Sequence, residues 1–202
     1  MSASSPDQLI TVADPPSPGG ESAGFAHLGE DVRYRGWRIS VVKATFRAPD
    51  GSVFTRDIVR HPGAVAVVPV TDAGDVLLVR QYRGAVDREL LEIPAGTRDV
   101  EGEEPVETAR RELLEEVGVH ARRLELLGTM LNSPGFCDEE TYLFLATGLS
   151  AGDHARDGLE EQHMEVVPVP LGDVDPMVAS GQLIDGQTIL GLLLAGHALG
   201  RR

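Results

Sequence analysis

Apolar residues recur along this chain with two different periods. In 38–48 and 52–60 they alternate with polar ones, and Pro49-Asp50-Gly51 lies between the two runs. Period-two alternation around turn residues predicts a β hairpin. Residues 64–70 and 76–82 are instead continuous apolar runs of strand length, joined by Asp72-Ala73-Gly74. Such runs suit strands buried on both faces, in a sheet covered by helices. A short strand is expected at 89–93, ending at Pro94.

The pattern then changes. Val106, Ala109, Leu113 and Val117 fall at helical spacing, so 105–117 is expected to be an amphipathic helix. Glu104 is positioned to cap it, Pro105 suits its first turn and Gly118 its stop. Strands are expected at 124–130, 141–146 and 165–169, a short helix at 174–179 and a longer one at 186–199. No repeat is visible. Strands interleaved with helices predict an α/β fold: a compact α/β/α sandwich with a mixed sheet and an N-terminal hairpin. Residues 1–24, rich in Ser, Pro, Gly and Ala, lack any period and read as a flexible tail. Residues 25–202 then form a single domain, with N-terminal strands at about 31–60 and the core at about 61–202.

Composition changes this picture little, but charge narrows the partners. The chain has 202 residues, 42% of them hydrophobic, with 18 basic and 32 acidic side chains and a net charge of −14. No basic stripe is available for nucleic acid, so none is expected as a partner. An acidic chain can still take a phosphate-bearing substrate where bound cations invert the local field. Cys137 is the only cysteine, which excludes an internal disulfide and fits a reducing compartment. Neither a leader pattern nor an apolar stretch long enough for a bilayer is seen; 189–199 is too short and Gly-rich. The expectation is a cytoplasmic protein without a membrane partner.

Candidate chemistry concentrates on 111–118. Glu112, Glu115 and Glu116 stand at i, i+3 and i+4, placing three carboxylates on one helix face. Arg111 can pair with Glu115, which leaves Glu112 and Glu116 aligned. Glu-rich helix faces are commonly just solvated. A hard divalent cation, however, wants several oxygen ligands on a rigid element. The preceding segment favours the cation: Glu92-Ile93-Pro94-Ala95-Gly96 ends a strand, and a glycine there lets backbone approach a ligand closely. The Ala95 carbonyl can add a neutral ligand.

Residues 96–119 resemble the Nudix box, a loop-helix signature of Gly, then Glu, then Arg-Glu-x-x-Glu-Glu-x-Gly and an apolar residue. One departure exists: the spacing from Gly96 to Glu103 is one residue longer than usual, within the loop 97–101. By this resemblance Glu112 and Glu116 are metal ligands, and Ala95 contributes its carbonyl. Glu115 is a ligand or a partner of the ligands, and it joins the catalytic candidates. Glu103 and Arg111 brace the loop against the helix. The implied cofactor is Mg²⁺, with Mn²⁺ as the alternative, at two or more ions per site.

The box names a reaction and not a substrate. Ser133-Pro134-Gly135-Phe136, with Pro134 fifteen positions after Val119, resembles a marker of ADP-ribose pyrophosphatases, although Ser-Pro-Gly is also ordinary loop chemistry. Trp37, the only tryptophan, stands where similar enzymes stack an aromatic on adenine; it could equally be a strand residue packed on the core. Gln81-Tyr82-Arg83 is similar to the family's Gln-aromatic-Arg segment, whose Arg faces substrate phosphates or ribose. Arg56 is a second candidate cation, and either arginine could be a plain surface charge. Gly96, Ser133 and Gly135 complete the substrate-binding candidates. Similar enzymes carry the general base on a loop before the last strand, which here assigns Glu161, with Glu160 as alternate. A solvated acidic loop is the competing reading. The resemblance implies hydrolysis of ADP-ribose to AMP and ribose 5-phosphate by a homodimer. The alternatives are another nucleoside diphosphate sugar, a dinucleotide polyphosphate, or a module that binds ADP-ribose without cleaving it.

Overall fold

The computed structural model describes residues 23–152 and 163–200. The tail as far as residue 22 and the expected base residues Glu160 and Glu161 lie outside the described residues.

The strand β4 (Ala64–Pro69) organises the domain, and all six of its residues are buried. It pairs in parallel with β9 (Glu140–Ala151) and antiparallel with the short β7 (Ala95–Thr97), while β8 (Val119–Leu131) pairs antiparallel with β9. The result is a mixed four-stranded sheet in the order β7-β4-β9-β8. A second, antiparallel sheet has the order β10-β5-β6, from β5 (Asp75–Arg83), β6 (Arg88–Glu92) and β10 (Glu165–Pro170).

Side chains on a strand alternate between faces, and β4 uses both. Val65 and Val67 pack with Ala109, Leu113 and Val117 of the box helix. Ala66 and Val68 pack with Leu192 and Ala195 of the C-terminal helix. The sheet is therefore sandwiched between helices, as its continuous apolar runs predicted. The C-terminal helix approaches so closely that a Cβ on Gly191 would stand 2.8 Å from Ile93 Cδ1 and 3.2 Å from Val68 Cγ2. Among the described residues no helix is long and apolar enough to cross a membrane.

The structure extends one expectation and corrects another. The N-terminal hairpin, β2 (Ser40–Arg47) with β3 (Val53–Arg60), is extended by β1 (Ala26–Arg35) into a three-stranded antiparallel sheet. Ala26, Leu28, Val32 and Tyr34 alternate along β1, with Glu30 breaking the series, yet all ten of its residues are exposed. It forms because the open edge of β2 supplies backbone partners from Ala26↔Arg47 to Arg35↔Ser40, through two register shifts. The box helix also does not run regularly from 105 to 117. The α-helix α1 (Pro105–Glu112) opens into a π-helical turn (Leu113–Val117) that ends at Gly118 in the left-handed conformation, φ 73°. Glu104 occupies the N-cap position without a side-chain cap bond. Its carbonyl accepts the Glu107 and Thr108 amides instead, at 2.9 and 3.1 Å. Beyond β10 come a 3-10 turn (Leu171–Asp173), α2 (Val174–Ala179) and α3 (Gly186–Ala198).

Candidate active site

An open cleft of about 620 Å³ lies where the end of β5, the strand β7 and the β1-β2 turn meet the box helix. One wall carries Glu112, Glu115 and Glu116, and Arg83, Ala95 and Gly96 also line the cleft. The π turn falls on Leu113–Val117, so Glu115 and Glu116 sit where the backbone is wider than α-helical, while Glu112 closes the α-helix before it.

The loop before β7 is tied to that wall. The Ala95 amide donates to Glu116 Oε2 at 3.0 Å. Gly96 lies directly against the Glu112 carboxylate, and any Cβ there would overlap it. This close approach explains the glycine at the head of the box. Glu112 and Glu116 are buried, with relative exposures of 7% and 5%. Burying carboxylates is unfavourable unless cations and donors compensate.

Arg111 is the local compensator. It donates to Glu112 Oε1 at 2.7 Å, to Glu115 Oε2 at 3.2 Å and to Glu103 Oε2 at 3.3 Å. Burial works against its charge, but these carboxylates outweigh it and hold the guanidinium well above its ordinary range. Burial would raise Glu103, yet hydrogen bonds from Arg111 and Thr108 overcome this and keep its carboxyl below the usual value. The Thr108 hydroxyl donates to Glu103 at 2.8 Å, and Thr108 is fully buried. Glu103 and Arg111 thus brace loop against helix, and the extra residue between Gly96 and Glu103 leaves that brace intact.

At the cleft, Arg83 donates through Nε to both oxygens of Glu92, at 3.0 and 3.1 Å. Gln81 Nε2 adds a bond to Glu92 at 3.0 Å. Burial opposes the Arg83 charge, but the Glu92 carboxylate more than offsets it and holds the Arg83 guanidinium above its ordinary value. Glu92, itself buried, was overlooked in the sequence; the signal was a charged residue closing the apolar run Leu90-Leu91.

Trp37 stands at the cleft rim, 89% exposed, so it does not pack on the core. Arg38 covers its ring at 4.7 Å and donates to Thr97 Oγ1 at 2.9 Å, which pins the β1-β2 turn to β7. Arg56 lies elsewhere in the chain, over the Phe54 ring at 4.7 Å with Nη1 donating to the Thr55 carbonyl, and it does not line the cleft. Ser133 and Gly135 are also off the cleft. The Ser133 carbonyl accepts the Phe136 and Cys137 amides, and the turn docks on β3 through the Val59 amide and the Phe136 carbonyl at 2.7 Å.

A family model described as "NUDIX domain" matches residues 60–185, more than half of the chain. The chain belongs to the NUDIX family. Among its relatives, an ADP-ribose pyrophosphatase of Bacillus subtilis is 44% identical over 161 residues, covering 80% of this chain and 86% of the relative. One of Mycobacterium tuberculosis is 37% identical over 175 residues, covering 87% and 84%. A solved ADP compounds hydrolase superposes with a TM-score of 0.76 at 22% identity, over 87% of this chain and 94% of that one, which supports the NUDIX fold.

Proposed function

We propose that the protein is a divalent-metal-dependent hydrolase that cleaves the pyrophosphate of ADP-ribose to AMP and ribose 5-phosphate. The observation carrying this is a cleft lined together by Arg83, by Glu112, Glu115 and Glu116, and by Ala95. The choice of ADP-ribose is supported by relatives named ADP-ribose pyrophosphatase at 37–44% identity over most of the chain.

The residues fit a metal in donor chemistry and in charge. Arg111 contacts Glu103, Glu112 and Glu115 and lies 3.8 Å from Asp99, so carboxylates outnumber the local cation. Among the described residues no three of these side chains converge on one point as they stand. A cation therefore competes with Arg111 for Glu112 and Glu115, with Glu116 and the Ala95 carbonyl completing the proposed ligand set. When bound, Mg²⁺, or Mn²⁺ in its place, would offset phosphate charge and acidify the attacking water.

Arg83, oriented by Glu92, binds a phosphate or ribose oxygen. Trp37 offers a stacking face for the base. Glu161, with Glu160 as the alternate, accepts the proton of the water that attacks phosphorus. The bond to the bridging oxygen breaks, and that oxygen leaves on the other product. Gly96 keeps the Glu112 carboxylate seated against the loop.

The reading includes a homodimer in the cytoplasm. Exposed apolar side chains on and beside the N-terminal sheet, among them Phe25, Leu28, Val32 and Val53, support an interface there. Arg56, Ser133 and Gly135 join the substrate site only through a second subunit. Light scattering after gel filtration tests this, and a monomer would remove all three from the site.

The deciding experiment is product analysis with ADP-ribose, GDP-mannose and diadenosine polyphosphates in Mg²⁺, with and without EDTA. AMP formed fastest from ADP-ribose and stopped by EDTA is expected. Preference for another substrate, or binding without cleavage, refutes the assignment.

A further inference from the structure

We infer that Thr188, on the C-terminal helix, is a positioning residue for the metal-binding loop, holding the Ile93-Pro94-Ala95 backbone so that the Ala95 carbonyl faces the cleft. This rests on the metal-dependent reading of that cleft. Thr188 lies beyond residues 60–185, the span that the family model matches.

Proline lacks an amide hydrogen, so Ile93-Pro94-Ala95 has only two donors with which to fix its path. The Ala95 amide goes to Glu116. The Ile93 amide goes to Thr188 Oγ1 at 3.0 Å, across 95 residues of sequence. The Pro94 carbonyl accepts the Val67 amide at 2.9 Å. Three consecutive residues are thus held by three separate elements: α3, the π turn and β4.

The hydroxyl at 188 has the right polarity for this. Its single proton is donated to Asp185 Oδ2 at 2.7 Å, which leaves a lone pair for the Ile93 amide. Asp185 Oδ2 also accepts the Thr188 amide at 2.7 Å as the N-cap of α3, so the hydroxyl's partner is itself fixed. Thr188 is fully buried, and so is its bond from the Ile93 amide. The same helix presses on Ile93 through Gly191, where there is no room for a Cβ. Helix α3 therefore grips the strand end two residues before the proposed carbonyl ligand, by hydrogen bond and by contact.

A valine at 188 keeps the shape and removes the hydroxyl; a serine keeps the hydroxyl. Mn²⁺ affinity of the full-length protein, titrated by electron paramagnetic resonance without nucleotide, is compared with kcat, KM and thermal midpoint. For Thr188→Val, Mn²⁺ affinity and kcat for ADP-ribose are expected to fall about 10-fold with KM nearly unchanged, the lower end for loss of a partner that orients a ligand. Thr188→Ser is expected to restore both. If Thr188→Val lowers only the thermal midpoint, with Mn²⁺ affinity and kcat intact well below it, the positioning role is wrong. If that variant fails to fold, Asp185→Ala, which removes the hydroxyl's acceptor, carries the test, and unchanged Mn²⁺ affinity again overturns the inference. A wild-type protein that binds no Mn²⁺ overturns it too. One that binds Mn²⁺ but leaves ADP-ribose intact sinks the substrate assignment while the affinity comparison still decides the role of Thr188.

Discussion

Replacing Gly96 with alanine adds one methyl group, and the structure shows where it goes: into the Glu112 carboxylate. The backbone at Gly96 is not in the left-handed region, so alanine brings no conformational strain of its own. The collision is relieved when Glu112 swings away, which breaks its 2.7 Å bond from Arg111. Arg111 keeps Glu103 and Glu115, and Glu112 swings toward the open cleft rather than staying buried without Arg111, so the fold loses one charge-assisted hydrogen bond, on the order of 1 kcal/mol. For a chain of this size that lowers the thermal midpoint by roughly 2–4 °C. Activity should respond far more, because displacing a catalytic group by about 1 Å can cost about 10²-fold. Initial rates of AMP release at saturating Mg²⁺ and ADP-ribose, measured beside a calorimetric melt, separate the two effects. A kcat reduced about 100-fold with a nearly unchanged melt is expected. A melt that collapses along with activity would show Gly96 to be structural, and unchanged kcat would show that Glu112 does not act from where it sits.

The ion pair of Arg83 with Glu92 and the brace of the loop give two further tests. Glu92→Gln removes the counter-charge that orients Arg83; KM for ADP-ribose should rise about 10-fold, as one charged hydrogen bond is worth roughly 1.5 kcal/mol or more, and an unaltered KM refutes the phosphate role of Arg83. Glu103 has a carboxyl pKa lowered below its ordinary 4.5 on folding, so its contribution to stability is present above that value and is lost as the pH falls through the folded pKa. Urea melts should therefore show Glu103→Gln less stable than wild type at neutral pH and converging with it in acid; a gap that stays constant with pH would mean Glu103 is not held ionised by Arg111.

The core strands were legible because their signal is local. The run 64–70 is apolar at nearly every position, and burial on both faces leaves β4 no other place than the middle of a sandwich. The box was legible for a similar reason: Gly96, Glu103, Arg111, Glu112, Glu115 and Glu116 hold fixed spacings around one loop and helix. The full extent of β1 was not legible: strands were expected only from about residue 31, and Gly29 and Glu30 interrupt the alternation, so it is pairing with the edge of β2 that carries the strand back to Ala26. The π turn was hidden too, since Leu113–Val117 keeps an ordinary helical apolar pattern.

By itself, then, the sequence determined the alternating and continuous strands, the helix with its carboxylates and the glycine that precedes it, all features set by period and spacing within a few turns of chain. The tertiary structure alone decided which charges meet. How Arg83 is held at the cleft depends on Glu92 arriving from the neighbouring strand, and the path of Ile93 depends on Thr188 arriving from 95 residues away. Arg56, the second candidate cation, comes to rest on Phe54 within β3 instead. Spacing along a chain fixes local neighbours, but packing fixes which distant partner a buried polar group will find, and that pairing decides how each group is held in the site.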